Sequence, residues 1–226
     1  FRHFYGGNLW HQHDPFCLNR WLDYSGHLFT IGKTIFNSII QVVHFSIHYK
    51  QKSNGEFMSN IREIYLAGGC FWGTEAFMQR INGVIDAQSG YANGSTENPS
   101  YQDVCSGSGH AEVVKVTYDA NKISLETLLD YYFKVIDPIS INQQGGDKGI
   151  QYRTGIYYSN LADKDVVTQA LNSLQAQYNQ PLAVENKPLE HYFPAEEYHQ
   201  DYLDKNPNGY CHIDIQLMNE ILNNQK

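Results

Sequence analysis

The residue types that could carry chemistry are concentrated around one cysteine, in the segment Gly68-Gly69-Cys70-Phe71-Trp72-Gly73. A cysteine acts as a nucleophile through its thiolate form. A small buried cysteine without a chemical role is the alternative, and most free cysteines are of that kind. The flanking glycines and the two bulky aromatic residues, which would crowd a tight turn unless they line a cavity, favour a reactive thiol beside an apolar pocket.

Further side chains suited to chemistry lie later in the chain, mostly in polar loops. They are the phenols of Tyr101 and Tyr152, the carboxyls of Glu112 and Asp147, and the thiol of Cys211. A nucleophile, an acid, phenolic donors and an apolar wall suit a substrate that has a polar oxygen beside a small apolar group. The second cysteine follows a polar turn, so it could resolve a sulfenic acid on the first as a disulfide.

A strand and a helix are predicted to position Cys70. Residues 64–67 are typical of a short buried strand, and apolar residues at helical spacing run from Phe71 to Ile81, before Asn82-Gly83 ends the pattern. The thiol then lies at a helix N-terminus, where free N–H groups and the helix dipole favour the thiolate. That effect is about 0.3–1 kcal/mol, less than the roughly 1.4 kcal/mol of one pKa unit, so a second contribution is required.

Residues 111–119 alternate as a strand does, with two different faces. One face carries Glu112, Val114, Val116 and Tyr118, and the other carries Val113, Lys115 and Thr117. Lys115 makes the second face the expected solvent side, which puts Glu112 on the apolar face, where burial would raise the pKa of its carboxyl. A glutamate at the strand end that points into water is the alternative.

The order of the predicted elements indicates an α+β protein. Helices are predicted after the capping residue Ser124, over residues 162–178 and over residues 213–222, with strands between them and an irregular stretch from His191. We therefore predict a two-layer sandwich with helices packed on a mostly antiparallel sheet, long loops and an irregular C-terminal tail.

Residues 1–57 differ in composition from the rest of the chain. They carry a net charge of +2, whereas residues 58–226 carry −10. We expect residues 1–57 to be an N-terminal extension outside the catalytic domain, and residues 58–226 to form that domain. The apolar part of the extension is too short and too often interrupted by polar residues to span a membrane. The pattern His11-x-His13-x3-Cys17 resembles a metal site only loosely, because no fourth ligand follows at a recognisable spacing.

Charge and cysteine content exclude several classes of protein. The net charge of −8 argues against nucleic acid or an anionic membrane surface as the main partner. Four widely spaced cysteines, with no Cys-x-x-Cys pair, are too few for a disulfide scaffold in 226 residues. We therefore expect a reduced, cytoplasmic protein with one or two reactive thiols.

Several motifs, taken in order, resemble the peptide methionine sulfoxide reductase A family. They are Gly69-Cys70-Phe71-Trp72-Gly73, Asn98-Pro99-x-Tyr101, Gly109-His110-Ala111-Glu112, Asp147-x-Gly149-x-Gln151-Tyr152-Arg153, Glu197-Tyr198-His199-Gln200 and Asn208-Gly209-Tyr210-Cys211. The resemblance runs from about residue 61 to about residue 214, and residues 1–57 have no counterpart in it. It implies a ferredoxin-like α+β fold and reduction of the S epimer of methionine sulfoxide, free or in proteins.

The resemblance also implies a role for each candidate residue. Cys70 would attack the sulfoxide sulfur and become a sulfenic acid, while Glu112 would protonate the oxygen. The other implied roles are hydrogen bonding to the oxygen by Tyr101 and Tyr152, support of that network through water by Asp147, and binding of the S-methyl group by Phe71 and Trp72.

The resemblance further implies that Cys211 forms a disulfide with the oxidised nucleophile and that thioredoxin reduces it. No metal or organic cofactor is implied, and we expect a monomer. Cys105 is predicted to be structural, and His199 to be mainly a packing residue of the tail. A thiol peroxidase and a Cys/His metal-binding module are the alternatives; the first would not need an aromatic methyl pocket.

Overall fold

The computed structural model describes residues 60–225 of the chain. The predicted extension, with His11, His13 and Cys17, lies outside the described residues. The division of the chain at residue 57 therefore stays a prediction.

A mostly antiparallel sheet is the centre of the described structure. The strands are β1 (Ile61–Gly68), β2 (Val84–Ala92), β3 (Ala111–Asp119), β4 (Gln143–Gln144), β5 (Asp147–Lys148), β6 (Thr154–Tyr158), β7 (Glu185–Pro188) and β8 (Tyr192–Pro194). Strands β4 and β5 pair with each other, and the other strands form one six-stranded sheet in the order β7-β6-β1-β3-β2-β8. The pair β6 and β7 is parallel, and the other neighbouring pairs are antiparallel.

Helices connect the strands and cover the sheet. They are α1 (Phe71–Met78), α2 (Tyr101–Cys105), α3 (Leu125–Phe133), α4 (Asp163–Gln175), α5 (Tyr202–Lys205) and α6 (Ile215–Asn223). Short 3₁₀ turns lie at Ile150–Tyr152 and Glu197–His199. The Ser124 hydroxyl accepts from the Thr127 N–H at 3.2 Å, which confirms the predicted cap of α3. The mixed α and β architecture expected from the sequence is thus present.

The central strand β1 is buried on both faces where it approaches Cys70. Ile64 and Leu66 belong to the main core under the helices, whereas Tyr65 and Ala67 belong to a second, smaller cluster on the other face. Successive side chains of a strand point to opposite faces, so a strand covered on both sides reads as a continuous apolar run. This double burial gives the turn that follows β1 a rigid base.

The structure differs from the sequence predictions at the end of helix α1 and in the C-terminal tail. Helix α1 ends at Met78 rather than near Ile81, because the N–H groups of Arg80 and Ile81 bond three residues back and tighten the last turn. Ile81 stays buried, and Gly83, with φ +100°, turns the chain into β2. In the tail, predicted to be irregular from His191, residues 192–194 add strand β8 to the sheet beside β2.

The polar, glycine-containing stretch between β2 and β3 contains a helix. Helix α2 forms within it and is closed at its start by a reciprocal pair of hydrogen bonds between Ser100 and Asp103. This capping box satisfies N–H groups that a helix as short as α2 would otherwise leave open. Within residues 60–225, no helix has the length and apolar character needed to cross a membrane.

Tyr132 joins helix α3 to two strands and offers a test of the fold. Its hydroxyl donates to the carbonyl oxygens of Ala67 in β1, at 2.5 Å, and Gly155 in β6, at 3.3 Å. Removing the hydroxyl leaves buried acceptors without this donor, so Tyr132→Phe is expected to lower the free energy of unfolding by about 1–3 kcal/mol in urea titration. Tyr131→Phe, at the neighbouring half-buried ring, is the control and should change it by less than about 0.5 kcal/mol. Equal effects of the two substitutions would contradict the role given to the hydroxyl.

Candidate active site

Cys70 lies in the turn between β1 and α1, as the N-cap residue of the helix. Gly69 just before it has φ +80°, and a Cβ atom there would come within 2.5 Å of the Gln144 Cβ. Both the left-handed backbone and the close approach of Gln144 therefore require glycine. The thiol that this turn presents is buried, with 7% of Cys70 exposed.

Burial, rather than the helix terminus, dominates the electrostatics of Cys70. The pKa of the thiol is raised well above its ordinary value, first by burial and then by the neighbouring Glu112 carboxyl. The Trp72 backbone N–H opposes this and lowers the pKa, as expected at a helix N-terminus. The direction expected for a helix N-terminus is therefore confirmed, but burial outweighs it, because the dipole contributes only about 0.3–1 kcal/mol. At neutral pH Cys70 is a neutral thiol.

Glu112 lies beside Cys70 on the buried face of β3, as the alternation predicts. Strands β1 and β3 are antiparallel, with Leu66 opposite Val114, so the end of β1 lies near the start of β3. The carboxyl is 1% exposed and accepts the Phe71 backbone N–H at 3.1 Å. Burial raises the pKa of Glu112 to about 8, against the lowering effect of the Phe71 N–H. A carboxyl with this pKa is mostly protonated at neutral pH and can donate a proton.

Phe71 and Trp72 form an aromatic wall next to the thiol. Phe71 is 1% exposed, and the centre of its ring lies 5.0 Å from that of His199. Trp72 stacks on Tyr202, with ring centres 3.7 Å apart, and its indole N–H donates to His199 Nδ1 at 3.2 Å. The prediction from the residues themselves did not include His199 or Tyr202 in the site. The sequence signal that could have indicated these two residues is the aromatic stretch in the tail. That stretch shows no regular periodicity, so it does not predict which side chains face the site.

Tyr101 and Tyr152 bring phenols to the same region. Burial raises the pKa of both, to about 12 for Tyr152, and the nearby Glu112 carboxyl raises them further. Both phenols therefore keep their protons at neutral pH and can serve as donors. The Tyr101 backbone N–H is held by the Glu196 carboxylate at 2.9 Å, which fixes the start of α2 against the tail.

Asp147 and Cys211 complete the group of predicted residues. The Asp147 carboxylate accepts from the Tyr210 hydroxyl at 3.0 Å and lies close enough to raise the pKa of Cys70, Glu112 and Cys211. Cys211 is half-buried above the first turn of α1, where a Cβ atom on Gly73 would lie 2.9 Å from its Sγ atom. The missing side chain of Gly73 thus makes room for the second thiol.

Arg153 supports the site from behind, a role that the sequence did not indicate beyond its place in a motif. The guanidinium donates to the carbonyl oxygens of Gly109 and Ile150, at 3.1 and 3.0 Å, and to the Glu185 carboxylate at 3.1 Å. These bonds tie the turn that ends in Tyr152 to the residues just ahead of β3. The phenol and the Glu112 carboxyl are thereby held on neighbouring, mutually anchored segments.

The described residues offer no group of three or more His, Cys, Asp or Glu side chains that could hold a metal ion. Cys105 is exposed at the last position of α2. Cys70 and Cys211 are not joined by a disulfide in the described structure.

Comparison with known proteins decides the family. A model of the peptide methionine sulfoxide reductase family matches residues 62–226. The chain belongs to this family. A relative from Lachnoclostridium phytofermentans, named peptide methionine sulfoxide reductase MsrA, is 54% identical over 153 residues, which are 67% of this chain and 92% of the relative.

Solved structures agree with this assignment. The chain is similar to Mxr1 from Saccharomyces cerevisiae in its reduced form, with 39% identity and a TM-score of 0.64 over 67% of this chain and 88% of that one. It is also similar to the methionine sulfoxide reductase A of Corynebacterium diphtheriae, with 33% identity and a TM-score of 0.62 over 69% and 79% of the two chains. Family membership makes this reductase an oxidoreductase and matches the resemblance drawn from the motifs.

The raised pKa of Glu112 predicts a pH-dependent change of stability. The folded protein holds this proton up to about pH 8, whereas the unfolded chain releases it near 4.5, so the wild type loses stability between those values. Glu112→Gln removes the titration, and its free energy of unfolding relative to wild type should rise by roughly 3–4 kcal/mol from pH 5 to pH 9. Urea titrations at pH 5, 7 and 9 measure this. The control is Glu126→Gln, on the exposed face of α3. An equal pH dependence of the two variants relative to wild type would count against the buried acid.

Proposed function

We propose that this reductase converts the S epimer of methionine sulfoxide, free or within proteins, to methionine, with Cys70 as nucleophile and Glu112 as acid. The observation that carries the proposal is the buried pair itself: a neutral thiol and a protonated carboxyl meet beside an aromatic wall. Sulfoxide reduction by a thiol needs this combination, since the oxygen must be protonated while the sulfur is attacked.

In the first step the Cys70 sulfur attacks the sulfoxide sulfur while the Glu112 proton moves to the oxygen. The attack forms an S–S bond. This bond and the S–O bond of the substrate then break as the hydroxyl passes to the Cys70 sulfur, so that methionine leaves and Cys70 becomes a sulfenic acid. The substrate sulfur gains two electrons, the cysteine sulfur loses two, and the thiol proton returns to Glu112. Protonating the oxygen makes the sulfur electrophilic, which explains how a thiol with a raised pKa can react.

The fixed positions of the acid and the wall account for the choice of epimer. We propose that Glu112, Tyr101 and Tyr152 bind the oxygen, while Phe71 and Trp72 hold the methyl group. When the oxygen, the methyl group and the direction of thiol attack are fixed in this way, the rest of the methionine side chain can point out of the site in only one of the two sulfoxide epimers. Asp147 supports the oxygen side through water, and it is anchored for this by the Tyr210 hydroxyl.

Cys211 resolves the sulfenic acid in the second step. Its sulfur attacks the Cys70 sulfur, water leaves, and a disulfide forms. The position of Cys211 above Gly73, in the first turn of α1, supports this pairing. We propose that thioredoxin, a dithiol protein, then reduces this disulfide by thiol–disulfide exchange, since Cys211 is half-buried and can be reached from outside. No metal or organic cofactor is needed for these steps.

Wider predictions on the fold, the compartment and the active unit belong with this function. The strand order β6-β1-β3-β2, with a helix after β1 and another after β3, supports a ferredoxin-like two-layer core to which β7 and β8 add edges. The low cysteine content, without a Cys-x-x-Cys pair, supports action in a reducing compartment such as the cytoplasm. We expect the catalytic domain to act as a monomer and without residues 1–57.

Separated epimers of a methionine sulfoxide peptide test the reaction. With dithiothreitol as reductant, the full chain should convert the S epimer and leave the R epimer, and Cys70→Ser should lower the rate by at least about 10³-fold, because no nucleophile remains. Cys105→Ser, which removes the exposed thiol of α2, is the matched control and should keep the activity. A folded wild-type sample that converts neither epimer but consumes peroxide would replace this proposal with a thiol peroxidase.

Cys211→Ser tests the resolving step. Without a reductant the variant should release about one methionine per chain and retain a sulfenic acid at Cys70, detectable by mass after reaction with dimedone. Turnover with thioredoxin should be lost, while dithiothreitol, which can reach the sulfenic acid directly, should still support it. Thioredoxin turnover at the wild-type rate would show that Cys211 is not the resolving residue.

A further inference from the structure

Glu75 is a buried carboxyl that the proposed reaction does not use. It lies in the second turn of α1, with 1% of the residue exposed. Its Oε1 atom accepts the Ser89 backbone N–H of β2 at 3.0 Å, and its Oε2 atom accepts the Asp201 backbone N–H at 2.8 Å. Burial raises the pKa of this carboxyl to about 7 even though both N–H groups favour the ionised form. Such a group needs a structural or functional reason to be retained in a core.

The bond to Asp201 fastens a segment of the tail to the helix that begins at Cys70. We call residues 195–205 the strap. Its Gln200 side chain donates to the Ser89 carbonyl at 2.9 Å and accepts the Ser89 N–H at 3.1 Å, which docks the strap on β2. The next residue, Asp201, has φ +52°, a left-handed conformation that is uncommon outside glycine. The Glu75 carboxylate holds the N–H group of this residue.

The strap supplies the contacts that hold Trp72. His199 accepts the indole N–H at 3.2 Å, and Tyr202 stacks on the indole with ring centres 3.7 Å apart. Asp201 lies between these residues in the chain, one position before Tyr202 and two after His199. A displacement of the Asp201 backbone would therefore move both partners of the indole at once.

Resting on the function proposed above, we propose that Glu75 is a positioning residue for the methyl pocket: it holds the strap at Asp201, and the strap holds Trp72 in place. The carboxyl does not touch the substrate. It acts by keeping the aromatic wall at the distance that a methyl group fits, because a small displacement of a binding wall weakens both affinity and selectivity.

Glu75→Gln is the variant that tests the proposal with the least change of shape. An amide has one acceptor oxygen, so it can satisfy one of the two N–H groups and must present its own N–H₂ to the other. The KM for a methionine S-sulfoxide peptide is expected to rise about tenfold with kcat within about twofold, because the change weakens binding of the methyl group rather than the chemistry. Preference for the methyl over the ethyl sulfoxide should fall by about fivefold, within the range that one methylene commands in an apolar pocket.

Arg80→Ala, just after the end of α1, is the matched control. Arg80 also bonds to the strap, at the Asp204 carboxylate at 2.6 Å, but both side chains are about half exposed. An exposed ion pair contributes little, so KM and the methyl preference should stay within about twofold of wild type.

Two further measurements separate positioning from a general effect on the fold. In a Trp10→Phe, Trp21→Phe background Trp72 is the one remaining tryptophan of the chain, so its emission reports the indole directly. Glu75→Gln should shift that emission and increase quenching by acrylamide, whether or not the protein is active. In a Trp72→Phe background, the tenfold effect of Glu75→Gln on KM should shrink to about twofold or less, since the two changes act on the same contact.

The outcomes are distinguishable from failure of the proposed function. A wild-type chain that does not reduce the S epimer would refute the function, while the Trp72 emission would still test the strap. With an active wild type, an unchanged KM and unchanged emission in Glu75→Gln would overturn the inference, as would a KM effect that persists fully without Trp72. Should Glu75→Gln not fold, Glu75→Asp keeps both acceptor oxygens on a shorter arm and must shift the Trp72 emission; an unshifted emission would also overturn it.

Discussion

The burial of the Glu112 carboxyl beside the Cys70 thiol is the constraint on which the site depends. Each group is kept neutral by removal from water, and each would raise the pKa of the other further if it ionised. The fold achieves this by pairing β1 and β3 at the centre of the sheet, antiparallel, so that the end of one strand meets the start of the other. A thiol that leaves β1 and a carboxyl that enters β3 then lie at one sheltered edge.

This arrangement divides the chemical work between two residues. A helix N-terminus could activate the thiol, but its contribution is small compared with the effect of burial on the same group. The protein therefore does not hold a ready thiolate. Its protonated acid supplies the activation instead, at the sulfoxide oxygen, and the same burial that disfavours the thiolate keeps that proton in place up to about pH 8. Burial thus both disfavours the Cys70 thiolate and keeps Glu112 protonated.

The C-terminal tail completes a site that the sheet and helices leave open. It brings Cys211 over Gly73, where the absent side chain leaves room for sulfur, and it brings His199 and Tyr202 against Trp72. Hydrogen bonds to main-chain groups at Ser89 and Asp201 fasten it, together with apolar side chains such as Ile213 and Met218 that join the main core. A tail held in this way can keep a precise wall on one side while its second thiol stays half-exposed, as a resolving cysteine requires.

Local patterns in the sequence were sufficient to predict the parts of the site that depend on neighbouring residues. The buried face of Glu112 follows from the two-residue alternation of a strand, and the turn at Cys70 and the Ser124 cap follow from the three- to four-residue spacing of a helix. The order of the motifs was sufficient to recognise the family. Contacts between distant residues were not readable in this way. The strap contacts of Glu75, His199 and Tyr202 join positions more than a hundred residues apart, strand β8 is too short to show a period, and the pKa of Cys70 depends on how much of the fold covers it. The sequence determined which groups could react and on which elements they lie. The tertiary structure decided which of them are neutral and what holds them, because burial and long-range hydrogen bonds are properties of the packed chain rather than of any segment.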